Sequence, residues 1–169
     1  MPTIFSIEGP FKVPCYQGKG GRTITEEDGR RFWNDQDHLG SDRGCYVFGI
    51  RAGKGLTPGY VGRATRGFKH EVFSHHKLTR YQQFLTDYRK GTPILFFIVA
   101  PRRKGAPNAA HIRELEAFLI QVALAANPDL LNVKGTRAEE WGIGGLLRGG
   151  KGKPSGSARD FRRLMKLRA

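Results

Sequence analysis

Eight consecutive residues near the middle of the chain, Pro93 to Ala100 (PILFFIVA), form an unbroken apolar run of strand length. A strand with one face in water alternates apolar and polar residues, whereas an unbroken run requires apolar neighbours on both faces. The sequence therefore predicts a central strand here, covered on both sides by other elements.

A β-hairpin is predicted before this strand. Residues 45–50 are rich in β-branched and aromatic side chains, and every second one from Tyr46 onward falls on one face. Two glycines and a proline within 52–58 indicate a turn, and extended character resumes over 60–64. These two strands are the expected neighbours of the apolar run.

Two helices complete the pattern. Apolar side chains at helical spacing predict a helix over 67–90, and Asn108 can cap a second helix that runs through Ala126. The order β-β-α-β-α predicts an α/β fold of the α+β kind, a small three-stranded, largely antiparallel sheet flanked by helices.

Composition divides the chain into three parts. Segment 44–135 carries the regular pattern and is the predicted core. Residues 1–43 form an N-terminal extension, in which Thr25 can start a short helix with two aromatic residues. Residues 136–169 form a Gly-rich basic tail, with a short basic helix predicted over 158–167.

The charge balance points to a polyanionic partner. Lys and Arg number 29 against 15 Asp and Glu, giving a formal net charge of +14. Nucleic acid rewards such an excess, because phosphate contacts release condensed counterions. No apolar run reaches the roughly 18 residues of a transmembrane helix, so no membrane association is expected. Two free-standing cysteines and no leader pattern favour a reducing, cytoplasmic setting.

One carboxylate lies at an unexpected position. The second predicted helix carries an apolar arc formed by Ile112, Leu115, Leu119 and Ala123. Glu116 falls within this arc, whereas Glu114 falls on the opposite side. An ionised carboxylate on a core-facing arc needs a partner. Two interpretations remain open: a buried salt bridge to an arginine of a neighbouring element, or a carboxylate at a cleft edge that holds a divalent cation or takes part in acid–base chemistry.

Four motifs occur in a fixed order along the core. They are Gly44-Cys45-Tyr46, Tyr60-Val61-Gly62, Glu116-Ala117-Phe118-Leu119-Ile120 and, last, Asn132. In this order and context they resemble the GIY-YIG nuclease family, whose two tripeptides lie on neighbouring strands of a hairpin. The resemblance covers residues 44–135.

The resemblance implies a metal-dependent endonuclease that hydrolyses DNA phosphodiester bonds. Glu116 would hold one Mg²⁺ or Mn²⁺ ion, which accepts a single carboxylate together with substrate phosphates and waters. Tyr46 would be the base that activates water, and Tyr60 would hydrogen-bond the attacking water or the phosphate. Asn132 would take the place of the family's late asparagine beside the nucleic acid.

The chain departs from the family in the first helix. The family places an arginine there that contacts the scissile phosphate, and this chain has none at the matching position. An ungapped count from Tyr60 reaches His70, and one inserted residue brings Glu71 to this position. The candidate replacements are Lys69 and His70 at the site itself, His75 as an acid or base, and Arg63 and Arg66 before the helix. Further phosphate contacts are predicted in the basic loop of Arg102, Arg103 and Lys104 and in the tail.

This departure leaves two functional hypotheses. The chain is either a nuclease with a rearranged set of cations or a nucleic-acid-binding module of the same fold that has lost cleavage. DNA is the expected partner, with RNA as the alternative. The small size suggests that specificity depends on a homodimer or a partner protein.

Overall fold

A computed structural model describes residues 2–102, 105–132, 143 and 153–165. The chain divides into two units, Met1–Thr136 and Arg137–Ala169, which are described separately. The strands of the first unit are β1 (Ser6–Lys12), β2 (Tyr16–Gly18), β3 (Gly21–Thr23), β4 (Gly44–Ala52), β5 (Gly55–Ala64) and β6 (Thr92–Val99). Its α-helices are α1 (Glu26–Asp35), α2 (Phe68–Glu71), α3 (His75–Asp87) and α4 (Ala109–Ala126).

The main sheet is antiparallel and has the strand order β1-β6-β4-β5. β6, the apolar run, pairs with β1 on one side and β4 on the other, so the prediction of a central strand is confirmed. The predicted α+β class, with helices flanking an antiparallel sheet, is also confirmed.

The prediction of three strands was wrong by one, because residues 6–12 supply a fourth. Their sequence, SIEGPFK, has no clean alternation, and the pairing with β6 shifts register between Glu8 and Phe11. A short strand interrupted by Gly-Pro gives little local signal. Its pairing partner lies far along the chain and was not visible from sequence.

Both faces of the sheet are covered. On one face, buried aromatic residues of α1, α2 and α3 pack against Tyr46, Phe48 and Phe97. On the other, α4 packs Ile112 and Ile120 against residues of the central and edge strands. The two layers account for the unbroken apolar sequence of β6.

Helix boundaries follow the capping residues. The Thr25 hydroxyl accepts from the Asp28 N–H, and the Asp28 carboxylate accepts from the Thr25 N–H in return, a capping box that fixes the start of α1. Asn108 Oδ1 accepts from Ala110 and His111 at the start of α4, as expected. The single helix predicted over 67–90 is instead two helices, since the backbone between α2 and α3 is not helical.

The outer edge of β5 is covered by the segment that follows α4. The Asn127 amide donates to the Pro58 carbonyl at 2.7 Å, and the Leu131 N–H donates to the Gly59 carbonyl at 2.9 Å. An uncovered edge would leave a row of unpaired backbone groups. This segment therefore closes part of the edge and brings Asn132 beside the centre of β5.

The second unit contains α5 (Gly156–Leu164), which overlaps the basic helix predicted over 158–167. The Ser155 hydroxyl accepts from the Ala158 N–H at 3.2 Å and caps its first turn. Over the described parts of the chain, no helix combines the length and apolar character needed to cross a membrane.

Candidate functional site

A cleft of about 920 Å³ opens where β5 lies between α3 and α4. β5 contributes Tyr60 and Arg63 to its lining, and Asn132 comes from the segment along the strand edge. The cleft brings together four residues that were predicted to be functional, Tyr60, Arg63, Glu116 and Asn132.

Positive charge dominates this cleft. Its lining includes four cationic side chains: Arg63, Lys77, Arg80 and Arg113. Only two carboxylates, Glu71 and Glu116, face them among the described residues. The excess of fixed cations suits a polyanionic ligand, since a cleft lined by one sign of charge focuses the field on its interior.

Glu116 is paired with Arg63. The Arg63 Nη1 donates to Glu116 Oε2 at 2.8 Å, and the two side chains are 43% and 21% exposed, respectively. The pair joins α4 to β5, so Glu116 has the arginine partner on a neighbouring element that the first interpretation named, but the pair is partly exposed and not buried. Glu116 also lines the cleft, which is the position that the second interpretation, a carboxylate at a cleft edge, expects.

Tyr60 is held by a second cation. Lys77 Nζ donates to the Tyr60 hydroxyl at 2.6 Å and lies 4.9 Å from the centre of its ring. An ammonium group only donates, so this bond uses an acceptor position of the phenol oxygen. The Tyr60 O–H proton remains able to donate to a different acceptor in the cleft.

Tyr46 does not occupy the place expected of a base that activates water. Its side chain is fully buried, and its ring centre lies 6.4 Å from that of Tyr60, on the core side. Burial raises the pKa of Tyr46 well above its ordinary value of 10.0, with Tyr81 adding to the effect. Tyr46 is absent from the cleft lining and lies in the core, so the geometry favours a packing role, and the role of base that the resemblance implies stays a prediction.

The glycine of the second tripeptide has a specific reason in this packing. A Cβ placed on Gly62 would collide with the Tyr46 ring and hydroxyl. Gly62 lies directly opposite Tyr46 in the β4–β5 register. The tripeptides are thus coupled by sterics across the hairpin, independently of any chemistry.

Several other predicted site residues lie elsewhere. The guanidinium of Arg102 binds the Asp42 carboxylate through two nitrogens, at 2.9 and 2.6 Å, and tethers its loop. Lys69 lies 3.9 Å from Asp37, and Arg66 lies 3.5 Å from Glu71. His70 and His75 are exposed and outside the cleft lining. Arg103 and Lys104 lie outside the described residues.

Asn132 uses its amide on the protein backbone. Its Oδ1 accepts from the Val61 N–H at 2.9 Å, and its Nδ2 donates to the Val61 carbonyl at 2.7 Å. The amide therefore mimics a neighbouring strand at the edge of β5. This contact explains why an asparagine is useful at this position without a direct contact to nucleic acid.

Sequence reasoning missed the cations that α3 and α4 present to the cleft. Lys77 and Arg80 lie one turn apart on α3, and Arg113 lies one turn before Glu116 on α4. His76 lines the cleft in place of His75. The i, i+3 spacing was the available signal, but the break between α2 and α3 places these residues beyond the position at which the resemblance predicts an arginine.

The free thiol of Cys45 is poorly suited to act as a nucleophile. Cys45 is buried and donates to the Ile112 carbonyl at 3.4 Å. Burial, together with the negative charge of Glu116, raises the pKa of its thiol to about 12. A thiol in this state carries no reactive thiolate at neutral pH.

A divalent cation at Glu116, as the resemblance implies, would be held by one carboxylate that is paired with Arg63 in this structure. Within the described residues, no group of three or more His, Cys, Asp or Glu side chains is arranged to enclose a metal ion. The contact with Arg63 engages Glu116 Oε2 and leaves Oε1 as a second ligand atom. Mg²⁺ and Mn²⁺ accept such a site when substrate phosphates and waters complete it.

Comparison with known proteins adds no family assignment to this geometry. Neither protein-family models, nor curated proteins, nor solved structures gave a match to the chain. The chemistry of the cleft therefore rests on its own residues, namely a carboxylate, a phenol hydroxyl and an excess of cations on one strand edge.

Proposed function

We propose that the chain is a metal-dependent endonuclease that hydrolyses DNA phosphodiester bonds in a site of GIY-YIG type. The observation that carries the proposal is the cleft itself, in which four cations surround Tyr60 and Glu116. The proposal includes a GIY-YIG-like core formed by β4, β5, β6 and the helices that follow the hairpin, with β1 as an addition to the sheet.

The cations of the cleft bind and orient the phosphate backbone. Arg80 and Arg113 come from α3 and α4, so the backbone would cross the β5 edge between the two helices. Arginine binds phosphate oxygens through paired donors, whereas Lys77 contributes a point charge. In this proposal Lys77 and Arg80 take the place of the family arginine that is missing near position 70.

Tyr60 and His76 are the groups that handle protons. The Tyr60 O–H, whose oxygen is fixed by Lys77, donates to a phosphate oxygen or orients the attacking water. His76 supplies an imidazole for proton transfer at the cleft wall. Glu116 would hold Mg²⁺ or Mn²⁺, and the bound ion would stabilise negative charge on the phosphate. Asn132 would contribute indirectly, by fixing strand β5 beside this site.

Nicking of supercoiled plasmid in Mg²⁺ or Mn²⁺ tests the proposal. Glu116→Gln keeps the size of the side chain but removes its charge, and we expect a loss of roughly 100-fold or more, the scale of a lost electrostatic contact at a reacting group. Glu114→Gln is the matched control, because Glu114 lies two residues away on the exposed side of the same helix. Equal nicking by wild type and Glu116→Gln would contradict the proposal.

A non-cleaving nucleic-acid-binding module is the second candidate. The Arg63–Glu116 salt bridge favours it, because an internally neutralised carboxylate can serve packing alone. Binding with a steep salt dependence, but no cleavage with any divalent metal, would support this candidate instead.

A further inference from the structure

Arg63 lies at the junction of the two functions assigned to the cleft. It projects from edge strand β5, bonds Glu116 at 2.8 Å, and is twice as exposed as its carboxylate partner. A guanidinium has five N–H donors, so one bond to Glu116 leaves donors for a second anion. Arg63 can therefore meet a phosphate while it is still bonded to Glu116, and its exposed side chain is free to move toward that phosphate.

The charge balance of the cleft opposes metal binding before the nucleic acid arrives. Among the described residues of the cleft, four cations face two carboxylates, and each carboxylate is paired with an arginine, Glu116 with Arg63 and Glu71 with Arg66. A divalent ion would add positive charge to an already positive cleft. A phosphodiester backbone brings negative charge and competes with Glu116 for the Arg63 guanidinium.

We infer that Arg63 couples the two ligands: the phosphate backbone draws Arg63 away from Glu116, and the freed carboxylate then binds the divalent cation. The inference rests on the proposed function, because it assigns Glu116 to metal and the cleft to phosphate. Coupling of this kind is reciprocal, so the backbone and the metal raise one another's affinity by the same factor.

Mn²⁺ binding, measured by electron paramagnetic resonance, tests this coupling without any turnover. The samples are the full chain alone and the full chain with a short phosphorothioate duplex that resists cleavage. Mn²⁺ held by the duplex itself is subtracted with a Glu116→Gln sample. For wild type we expect Mn²⁺ to bind about tenfold more tightly with the duplex than without it, a factor ordinary for coupled sites.

Arg63→Gln should bind Mn²⁺ about tenfold more tightly than wild type in the absence of duplex, and the duplex should add little further affinity. Arg113→Gln is the matched control. It removes one cation from the same cleft, but within the described residues Arg113 makes no ion pair with Glu116. Arg63→Lys, which keeps the charge, provides a second variant if Arg63→Gln unfolds, and it should retain the coupling in weakened form.

Equal gains for Arg63→Gln and Arg113→Gln would overturn the inference, since general charge alone would then explain them. Mn²⁺ binding to wild type that is independent of the duplex would also overturn it. These outcomes are distinguishable from failure of the nuclease proposal. A chain that nicks plasmid without coupling refutes only the role of Arg63, and a chain that shows coupling without nicking refutes only the cleavage.

Discussion

The two strands of the β4–β5 hairpin place their motif tyrosines in opposite environments. On the core side, Tyr46 is enclosed by aromatic residues, and burial raises the pKa of its hydroxyl. At the strand edge, Tyr60 meets a lysine and opens onto a charged cleft. The comparison teaches that a tyrosine in a motif acquires chemistry from its position in the sheet, since an interior strand removes water and an edge strand admits it.

The core side should show the largest effect on stability. Phe97 is fully buried and contacts several other aromatic rings, including that of Phe68 at 4.7 Å between centres. Phe97→Ala should lower the free energy of unfolding by about 3–5 kcal/mol, the cost of a large cavity. Phe118→Ala is the control, because Phe118 is 64% exposed and should change stability by less than about 0.5 kcal/mol. Urea denaturation measures both, and similar losses would refute the placement of the core.

The edge should show an intermediate effect, through Asn132. Asn132→Ala removes both hydrogen bonds to Val61 and should cost about 1–3 kcal/mol. Asn132→Asp keeps the acceptor but leaves the Val61 carbonyl without a donor, and its loss should also be significant. Hydrogen exchange at the Val61 amide is the direct measurement. Unchanged protection in Asn132→Ala would show that the edge does not depend on this side chain.

A smaller effect, spread over pH, distinguishes the buried tyrosines. Burial raises the pKa of Tyr46 and Tyr81 in the folded chain above 10.0, so both keep their protons when the unfolded chain loses them. The unfolded state then binds fewer protons, and stability falls as pH rises above about 10 by about 1.4 kcal/mol per pH unit for each tyrosine. Below that pH the contribution is fully present.

Tyr46→Phe should remove one such contribution and flatten the alkaline loss by about 1.4 kcal/mol per pH unit. Tyr16→Phe is the control, since Tyr16 is exposed and should leave the slope unchanged. Denaturant unfolding between pH 9 and pH 11 supplies the slopes. If Tyr46→Phe retained the wild-type slope, Tyr46 would have to titrate in contact with water, contrary to its full burial in the core.

Sequence patterns predicted the parts of the fold that depend on local periodicity. The PILFFIVA strand and the Asn108-capped α4 were found because burial on two faces and helix capping leave direct marks in sequence. β1 was missed because its Gly-Pro interruption hides the alternation and its partner strand is remote. Glu116 was recognised from sequence by its position on the apolar arc. Its pairing with Arg63 could not be, because it depends on how closely α4 approaches β5.

The candidate site was less accessible to sequence than the fold. Lys77, Arg80 and Arg113 become neighbours only after α3 and α4 pack on opposite sides of the β5 edge. The alternation of β4 showed which face carries Tyr46, but it did not show that this face is sealed by the helices. Depth in a core depends on the layers above a strand, and those layers come from distant segments.

A crystal structure of the chain with Mn²⁺ and a phosphorothioate duplex tests the central claim most directly, because manganese can be located by its anomalous scattering. We predict a manganese peak at the Glu116 carboxylate and a backbone phosphate within hydrogen-bond distance of the Tyr60 hydroxyl. A duplex bound away from the β5 edge, or a metal bound to other residues, would contradict the assignment of this cleft as the site of phosphodiester hydrolysis.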